Sequence, residues 1–310
     1  MREWLSPRVR PLRLARLGLA PVGTQRDWSR ADSTCSAQRY PWRLMNEPSL
    51  STPATQSVLA QPVPISALLS LWVNAWCAGE VSADSLVDAL ASAGGHRVAG
   101  SETRPGEQPS SGLITGLAEL GVSPANLQRP AMRVALPAPG DPRGLPGPPE
   151  VNVRALDAGQ IAIVDRLNIA LLPATGDNPT VVNWWALETA RDATVGATVR
   201  PEEAPSAVRA ALHSAMSSLA GLDIVTSGTT VSRHMTALAR ALQKTPIPAS
   251  TSGQDRHTIH TAATVMAICE FALADNPSQP TAALERERRS VLVELATTAR
   301  HSLAATCSAR

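Results

Sequence analysis

Six histidines, four cysteines and a single lysine set the chemical repertoire of this 310-residue chain. Lys244 stands alone among 28 basic residues, so no lysine is available to a phosphate-binding loop, and no G-x-x-x-x-G-K-[ST] pattern occurs. Lys244 precedes Thr245-Pro246 at an expected helix end, where water keeps an amine protonated; Schiff-base chemistry needs it desolvated. G-x-G-x-x-G, H-E-x-x-H and G-x-S-x-G are missing as well. Common nucleotide-binding and hydrolytic mechanisms therefore lack their residues.

What remains is a short set of candidates. His257 and His260 stand three apart near a helix start and could share a metal, with Asp255, His213 or His234 adding a ligand. The set is weak, and no metal or other cofactor is expected. Glu270 falls on the apolar helix stripe Ile259, Ala263, Met266 and Leu273. It is read as a buried structural carboxylate paired with Arg286, Arg288, Arg289 or Arg300, because a buried charge must be paired or protonated. Asp141, Arg143 and Gly144 lie in the loop LPAPGDPRGLPGPP, where backbone N–H groups and a guanidinium could meet an anion or a partner. His96, in GGHRV, is the remaining polar contact candidate. No catalytic residue is assigned.

The elements that must position these groups follow from periodicity. Ile65, Leu68, Leu69, Trp72 and Trp76 recur at three- and four-residue spacing, which predicts a helix ending at Gly79. Ser82 caps a second helix that Gly94-Gly95 terminates, and a short third helix covers Leu113 to Leu120. Residues 65–129 are accordingly read as helical, with a looser segment from Ser101 to Ser111. Ten of the twenty residues from Pro130 to Pro149 are Pro or Gly, which excludes regular helix and central strand and predicts a stiff, extended loop. Strand-like stretches surround it: Met132–Leu136, Val151–Leu156, Gln160–Asp165, Ile169–Leu172 and Val181–Leu187. Turns are expected at Asp157–Gly159 and Gly176–Pro179. Their short spacing leaves no room for crossover helices and predicts a small antiparallel sheet over residues 130–190. From Pro205 the helical period returns, with helices through Val208–Leu222, Met235–Leu242, Asp255–Ala274 and Thr281–Leu303, the last two joined at Asn276-Pro277. The expected fold class is α+β, a small antiparallel sheet flanked by an N-terminal helical pair and a C-terminal helical bundle (201–303), in one domain over 65–303.

Composition agrees with this. The chain is 44% hydrophobic but only 3% aromatic, so Ala, Leu and Val must pack the core, which favours close-packed helices. No apolar run approaches the ~18 residues of a membrane span. The net charge of +2 is uneven: residues 1–44 hold nine arginines against three acidic residues, leaving −4 for the rest. Residues 1–64 are expected to be a disordered head, and residues 1–44 an upstream stretch before a start at Met45. Arg13, Arg16 and Pro21 interrupt any secretory apolar region. Cys35, Cys77, Cys269 and Cys307 show no C-x-x-C or zinc spacing, so reduced thiols and a cytoplasmic location are expected.

The stretch LWVNAWCAGEVSADSLVDALASAGGHRVAG, the PGDPRGLPGP loop and ICEFALADNPSQPTAALERERRSVLVELATTARHSL together resemble a family of uncharacterised actinobacterial proteins over about residues 65–303. The resemblance implies a GC-rich actinobacterial source and a cytoplasmic protein, and brings no activity, cofactor or catalytic residue. The expected function is a non-catalytic cytoplasmic binding or scaffold protein that meets a protein partner through loop 137–149. The alternatives are an enzyme or binding protein for a small anionic ligand, if Asp141, Arg143 and His96 converge, and nucleic-acid binding through the Arg-rich head. Membrane contact is not expected, and nucleic acid is disfavoured by the acidic body.

Overall fold

Helix α1 (Ile65–Cys77) is buried almost throughout, with Trp76 alone only partly covered. Its polar residues Ser66, Ser70 and Asn74, each fully buried, follow one another at i+4 and so share a face. That face holds the start of the sheet. Asn74 Oδ1 accepts from the backbone N–H groups of Ala131 and Met132, both at 2.8 Å, and Asn74 Nδ2 donates to Met132 O at 2.7 Å. Ser70 Oγ lies 3.0 Å from both Met132 O and Cys307 O and donates between them. Ser66 N donates to Gln160 Oε1, which satisfies an orphan donor of the helix start.

The computed structural model describes residues 61–91, 94–99, 111–127, 131–175, 180–190, 199–220, 228–274 and 281–308. The expectations for residues 1–60 of the head, for most of the Ser101–Ser111 segment, for the turn at Gly176–Pro179 and for the Asn276-Pro277 junction lie outside them, while residues 61–64 are described, with Pro62 and Val63 buried. After α1 come α2 (Ala83–Ala91), β1 (Gly95–Ala99), β2 (Ser111–Gly112), α3 (Leu113–Glu119) and β3 (Arg133–Ala135). Then follow α4 (Pro149–Ala158), β4 (Ile161–Val164), β5 (Ile169–Thr175), β6 (Val181–Glu188), α5 (Ala204–Ala220), α6 (Gly228–Lys244), α7 (Gly253–Ala274) and α8 (Ala282–Ser308). The fold is α+β, with helices flanking the sheet.

The six strands run in the order β2-β1-β6-β5-β4-β3. β3, β4, β5 and β6 pair antiparallel in chain order, whereas β1 pairs parallel to β6 and antiparallel to β2. The sheet is thus mixed, a correction to the antiparallel expectation, because a strand from the region read as helical inserts beside β6. A second correction concerns Val151–Leu156, which is the body of α4 and not a strand. Pro149 stands in the first turn with Glu150, and Gly159 ends the helix in the left-handed region at φ +66°. Those end signals outweigh the β-branched alternation between them.

Period-two alternation along β4 explains why it is buried on both sides. Ala162 and Val164 face the large core that includes Leu68, Leu71, Leu171, Trp184, Leu295 and Leu303. Ile161 and Ile163 face a smaller core of Ala135, Leu145, Val151, Ala155 and Ala170. Helices α1 and α8 belong to the first layer; α4 and the Pro/Gly loop close the second. Val134 N, on the edge strand β3, donates to Ser308 Oγ at 3.0 Å, so the last turn of α8 covers an open edge donor.

Replacing Asn74 by Ala strands two backbone N–H groups and weakens the hold on one carbonyl, all buried. The expected cost is about 4 kcal/mol, at 1–3 kcal/mol for each unpaired group, read as a lower urea midpoint with an unchanged m-value. A loss below about 1 kcal/mol would show that water replaces the amide.

Candidate functional site

The Pro/Gly loop is folded down and not extended. Pro139 fixes one backbone angle and Gly140 supplies φ +83°, the pairing a type II turn requires. Asp141 N donates to Ala138 O at 2.8 Å and Ala138 N to Asp141 O at 3.2 Å. A second turn follows, with Gly144 at φ +85° and Leu145 N donating to Pro142 O at 3.3 Å. These turns bury Pro137, Gly144, Leu145, Pro146 and Gly147 and leave Pro139, Gly140, Pro142, Arg143 and Pro148 exposed.

Two groups of side chains fasten this loop. Arg133 donates from Nη1 to Gly144 O at 2.6 Å, and forks onto Asp165 through Nε at 2.7 Å and Nη2 at 3.0 Å. Asp141 forms the other fastening. Its Oδ1 accepts from Arg143 Nε at 2.7 Å, while Oδ2 lies 2.8 Å from His301 Nε2 and 3.6 Å from Arg300 Nη2. The Asp141 and His301 side chains keep only 9% and 8% of their surface. Burial pushes the Asp141 carboxyl up, but the Arg143 hydrogen bond and the charges of His301, Arg143 and Arg300 together hold it below its ordinary value. Burial pushes His301 down, and the opposing pull of Asp141 does not restore it against Arg143 and Arg300. At neutral pH the cluster is an ionised carboxylate, two guanidiniums and a neutral imidazole.

His96 sits elsewhere. It lies on β1 and the loop leaves β3, four strand spacings away, or about 19 Å at ~4.8 Å each. His96 Nε2 donates to Leu90 O at 3.0 Å and Nδ1 accepts from Trp184 Nε1 at 2.9 Å, which fixes the tautomer. Burial lowers its pKa despite the bond to Leu90. The imidazole ties α2 to β6, and neither nitrogen is left for a ligand. The three residues whose convergence the anionic-ligand alternative needed do not converge. A half-open cavity of about 310 Å³ does lie beside His96, lined by Val87, Ala91, Leu113 and Ile114 with Gly94 and Gly95. It is apolar and distant from Asp141.

Glu270 is exposed, a correction to its assignment as a buried carboxylate; the fully buried neighbour Cys269 occupies the inward position. Helix α7 packs so closely against α8 that its buried set runs through Ile259, Ala262, Ala263, Val265, Ala267 and Cys269, which shifts the phase by one residue. Nearby protein still raises the Glu270 carboxyl, with Arg300 pulling it down. Arg288 is instead the buried charge of α8: it bonds Glu285 at 3.2 Å and donates to Ala272 O, capping the last turn of α7.

His257 is exposed and His260 partly buried. Burial lowers the His260 pKa, reinforced by Arg256 and His257. His213 is exposed and the His234 ring stands 5.0 Å from Phe271. Among the described residues no group of three or more His, Cys, Asp or Glu is placed to hold a metal ion. Cys77, Cys269 and Cys307 are free and buried, and burial raises all three thiols. Lys244 is exposed at the end of α6.

Arg133 and His301 escaped the reading of the sequence, and Arg300 entered it only as a possible partner of Glu270, not of Asp141. A signal existed: Ser302 to Ser308 carries no charge, which marks a helix end buried on all sides and makes the two charges just before it candidates for internal pairing.

Comparison with known proteins places this architecture. Residues 66–203 match the family model described as Rv1486c-like protein, N-terminal domain, and residues 202–304 match Rv1486c-like protein, C-terminal domain. The PGDPRGLPGP loop lies inside the first match. No curated protein and no solved structure matches the chain.

Two measurements test the anchor and the division. Asp141→Asn removes the buried countercharge and is expected to cost about 2–3 kcal/mol, whereas Arg143→Ala, at the exposed end of the same contact, costs under about 1 kcal/mol; equal losses in urea titrations would refute the ranking. A chain ended at Glu203 loses Cys307 O, Ser308 Oγ and His301, and its amide NMR spectrum is expected to be poorly dispersed. A well-dispersed spectrum would show that the first match folds alone.

Proposed function

In a chain that belongs to the Rv1486c-like family through both of its domains, we propose a non-catalytic binding role in which the crest of loop 137–149 docks a protein partner. One observation carries this reading. Arg143 is fixed through Nε by Asp141 while its side chain keeps 42% of its surface in water, so its guanidinium is anchored along one edge and stays reachable from the exposed crest. A guanidinium held this way suits a carboxylate on the partner. Pro139 and Pro142 flank it on the exposed crest, and rigid turns have little conformational freedom left to lose on binding.

The separation of His96 from Asp141 supports this reading over an enzyme acting on a small anion. The Arg-rich head, on which the nucleic-acid alternative depends, lies outside the described residues. No described helix is long and apolar enough to cross a membrane. Three buried free thiols support a reducing compartment, and we place the protein in the cytoplasm of an actinobacterial cell on that basis and on the family resemblance.

Affinity capture from its own cells with quantitative mass spectrometry tests the proposal, comparing the full chain with Arg143→Ala and Pro142→Ser. A specific partner is expected to lose about tenfold or more in enrichment in each variant, as a hot-spot contact does. A captured set that ignores both substitutions would end the reading.

A further inference from the structure

We propose that Asp141, Arg143, Arg300 and His301 form a proton-operated latch: neutral His301 keeps the first half of loop 137–149 fastened to α8, and protonated His301 unfastens it. Its use in regulating docking rests on the reading above; the opening itself does not.

The geometry supplies the argument. His301 is faced by Asp141 and Arg143 from the loop and by Arg300 on its own helix, and Arg300 in turn feels Glu270 of α7. With His301 neutral, two guanidiniums are balanced by two carboxylates. A proton on His301 sets three cations against the same two carboxylates, of which only Asp141 is buried, on an imidazole that keeps 8% of its surface and so has little access to hydrating water. The closed arrangement is also incompletely satisfied as it stands. Arg300 Nε is buried without a hydrogen-bond partner, which makes the closed state costly to hold.

The sign follows from linkage. His301 in the closed state has a pKa below its ordinary value, whereas an opened loop returns it to water and to about 6.5. The open state therefore binds the proton more tightly. Closure is at full strength above about 6.5 and weakens as pH falls from there toward the closed-state value. Asp141, itself held low, stays ionised through this window and loses its charge only below about 3.9.

The second half of the loop holds by other means. Leu145 is fully buried, Arg133 Nη1 bonds Gly144 O, and Gly147 N donates to Asn152 Oδ1 at 2.9 Å. None of these contacts changes protonation between pH 7.5 and 5. Opening is accordingly confined to Pro137–Arg143, the stretch that carries the Ala138–Asp141 turn and the exposed Arg143.

Hydrogen exchange of the full chain from pH 7.5 to 5.0, corrected for intrinsic rates, tests the latch. The amides of Ala138 and Asp141 are expected to lose protection below pH 6.5, by up to about tenfold per pH unit, while Leu145 and Gly147 stay unchanged. His301→Gln, neutral at every pH, is expected to flatten the profile. A flat profile in the unmodified chain, or the same fall in His301→Gln, would overturn the latch. Should His301→Gln not fold, an NMR titration of the His301 ring in the unmodified chain decides: a pKa at or above 6.5 also overturns it. Loss of capture by Arg143→Ala with a flat exchange profile would retain the docking role and remove the latch; the converse pair of results would retain the latch alone.

Discussion

A single buried amide organises this molecule. Asn74 sits in the last turn of a helix that is buried almost throughout, and three hydrogen bonds of its side chain pair the backbone of Ala131 and Met132 just before β3. An irregular segment with free N–H and C=O groups cannot otherwise run through a core. Once it does, the chain direction into β3 and the position of the Pro/Gly loop are set. Ser70 extends the arrangement to Cys307 O, so one face of α1 fixes both the entry to the sheet and the end of the last helix. Such a network is stabilising only when complete, and it specifies a unique packing for the same reason.

The two matched segments are consequently interlocked. Helix α8, which begins in the second and runs on past its last matched residue, 304, supplies Arg300 and His301 to Asp141 from within that segment, and Cys307 O to Ser70 and Ser308 Oγ to Val134 from the turn beyond it. Trp72 Nε1 donates to Pro246 O across the same division. These contacts have sequence separations of about 160–240 residues, so the second segment completes the core of the first. The loop that we read as the docking surface is fastened at Gly144 by Arg133 of its own segment and at Asp141 by Arg300 and His301 of the other.

Much of the fold was legible because its signals were local. The helices from Ile65, Ser82, Pro205 and Asp255 onward follow from apolar spacing and end residues, and Ser82 Oγ does cap α2 by accepting from Ser85 N at 3.1 Å. β1 was not legible: its five residues acquire strand character mainly by lying parallel to β6, more than eighty residues later, with the two-residue β2 on their other side. Val151–Leu156 misled because Val-x-Val alternation precedes knowledge of its Pro149 and Gly159 ends. Of the site residues, Asp141 and Arg143 were visible as charges in a rigid loop, while their partners on α8 were not, since pairing across 160 residues leaves no spacing to read. His96 was visible as a polar side chain, but its two bonds to Leu90 and Trp184 turn it from a contact candidate into a fastening. The amide at the centre had its own trace, Ser66-Ser70-Asn74 on one helix face, recognisable as polar residues in a run that tolerates no water.

The bond from Val134 N to Ser308 Oγ has a consequence for the order of synthesis. The edge strand and its cover are 174 residues apart, and at ~5–20 residues per second a ribosome takes about 10–35 s to make that stretch. For that interval the nascent chain carries β3 with a bare outer donor and without the helix that buries its neighbours. Three residues is a short strand to leave uncovered, and brevity itself limits its use as a template by another nascent copy.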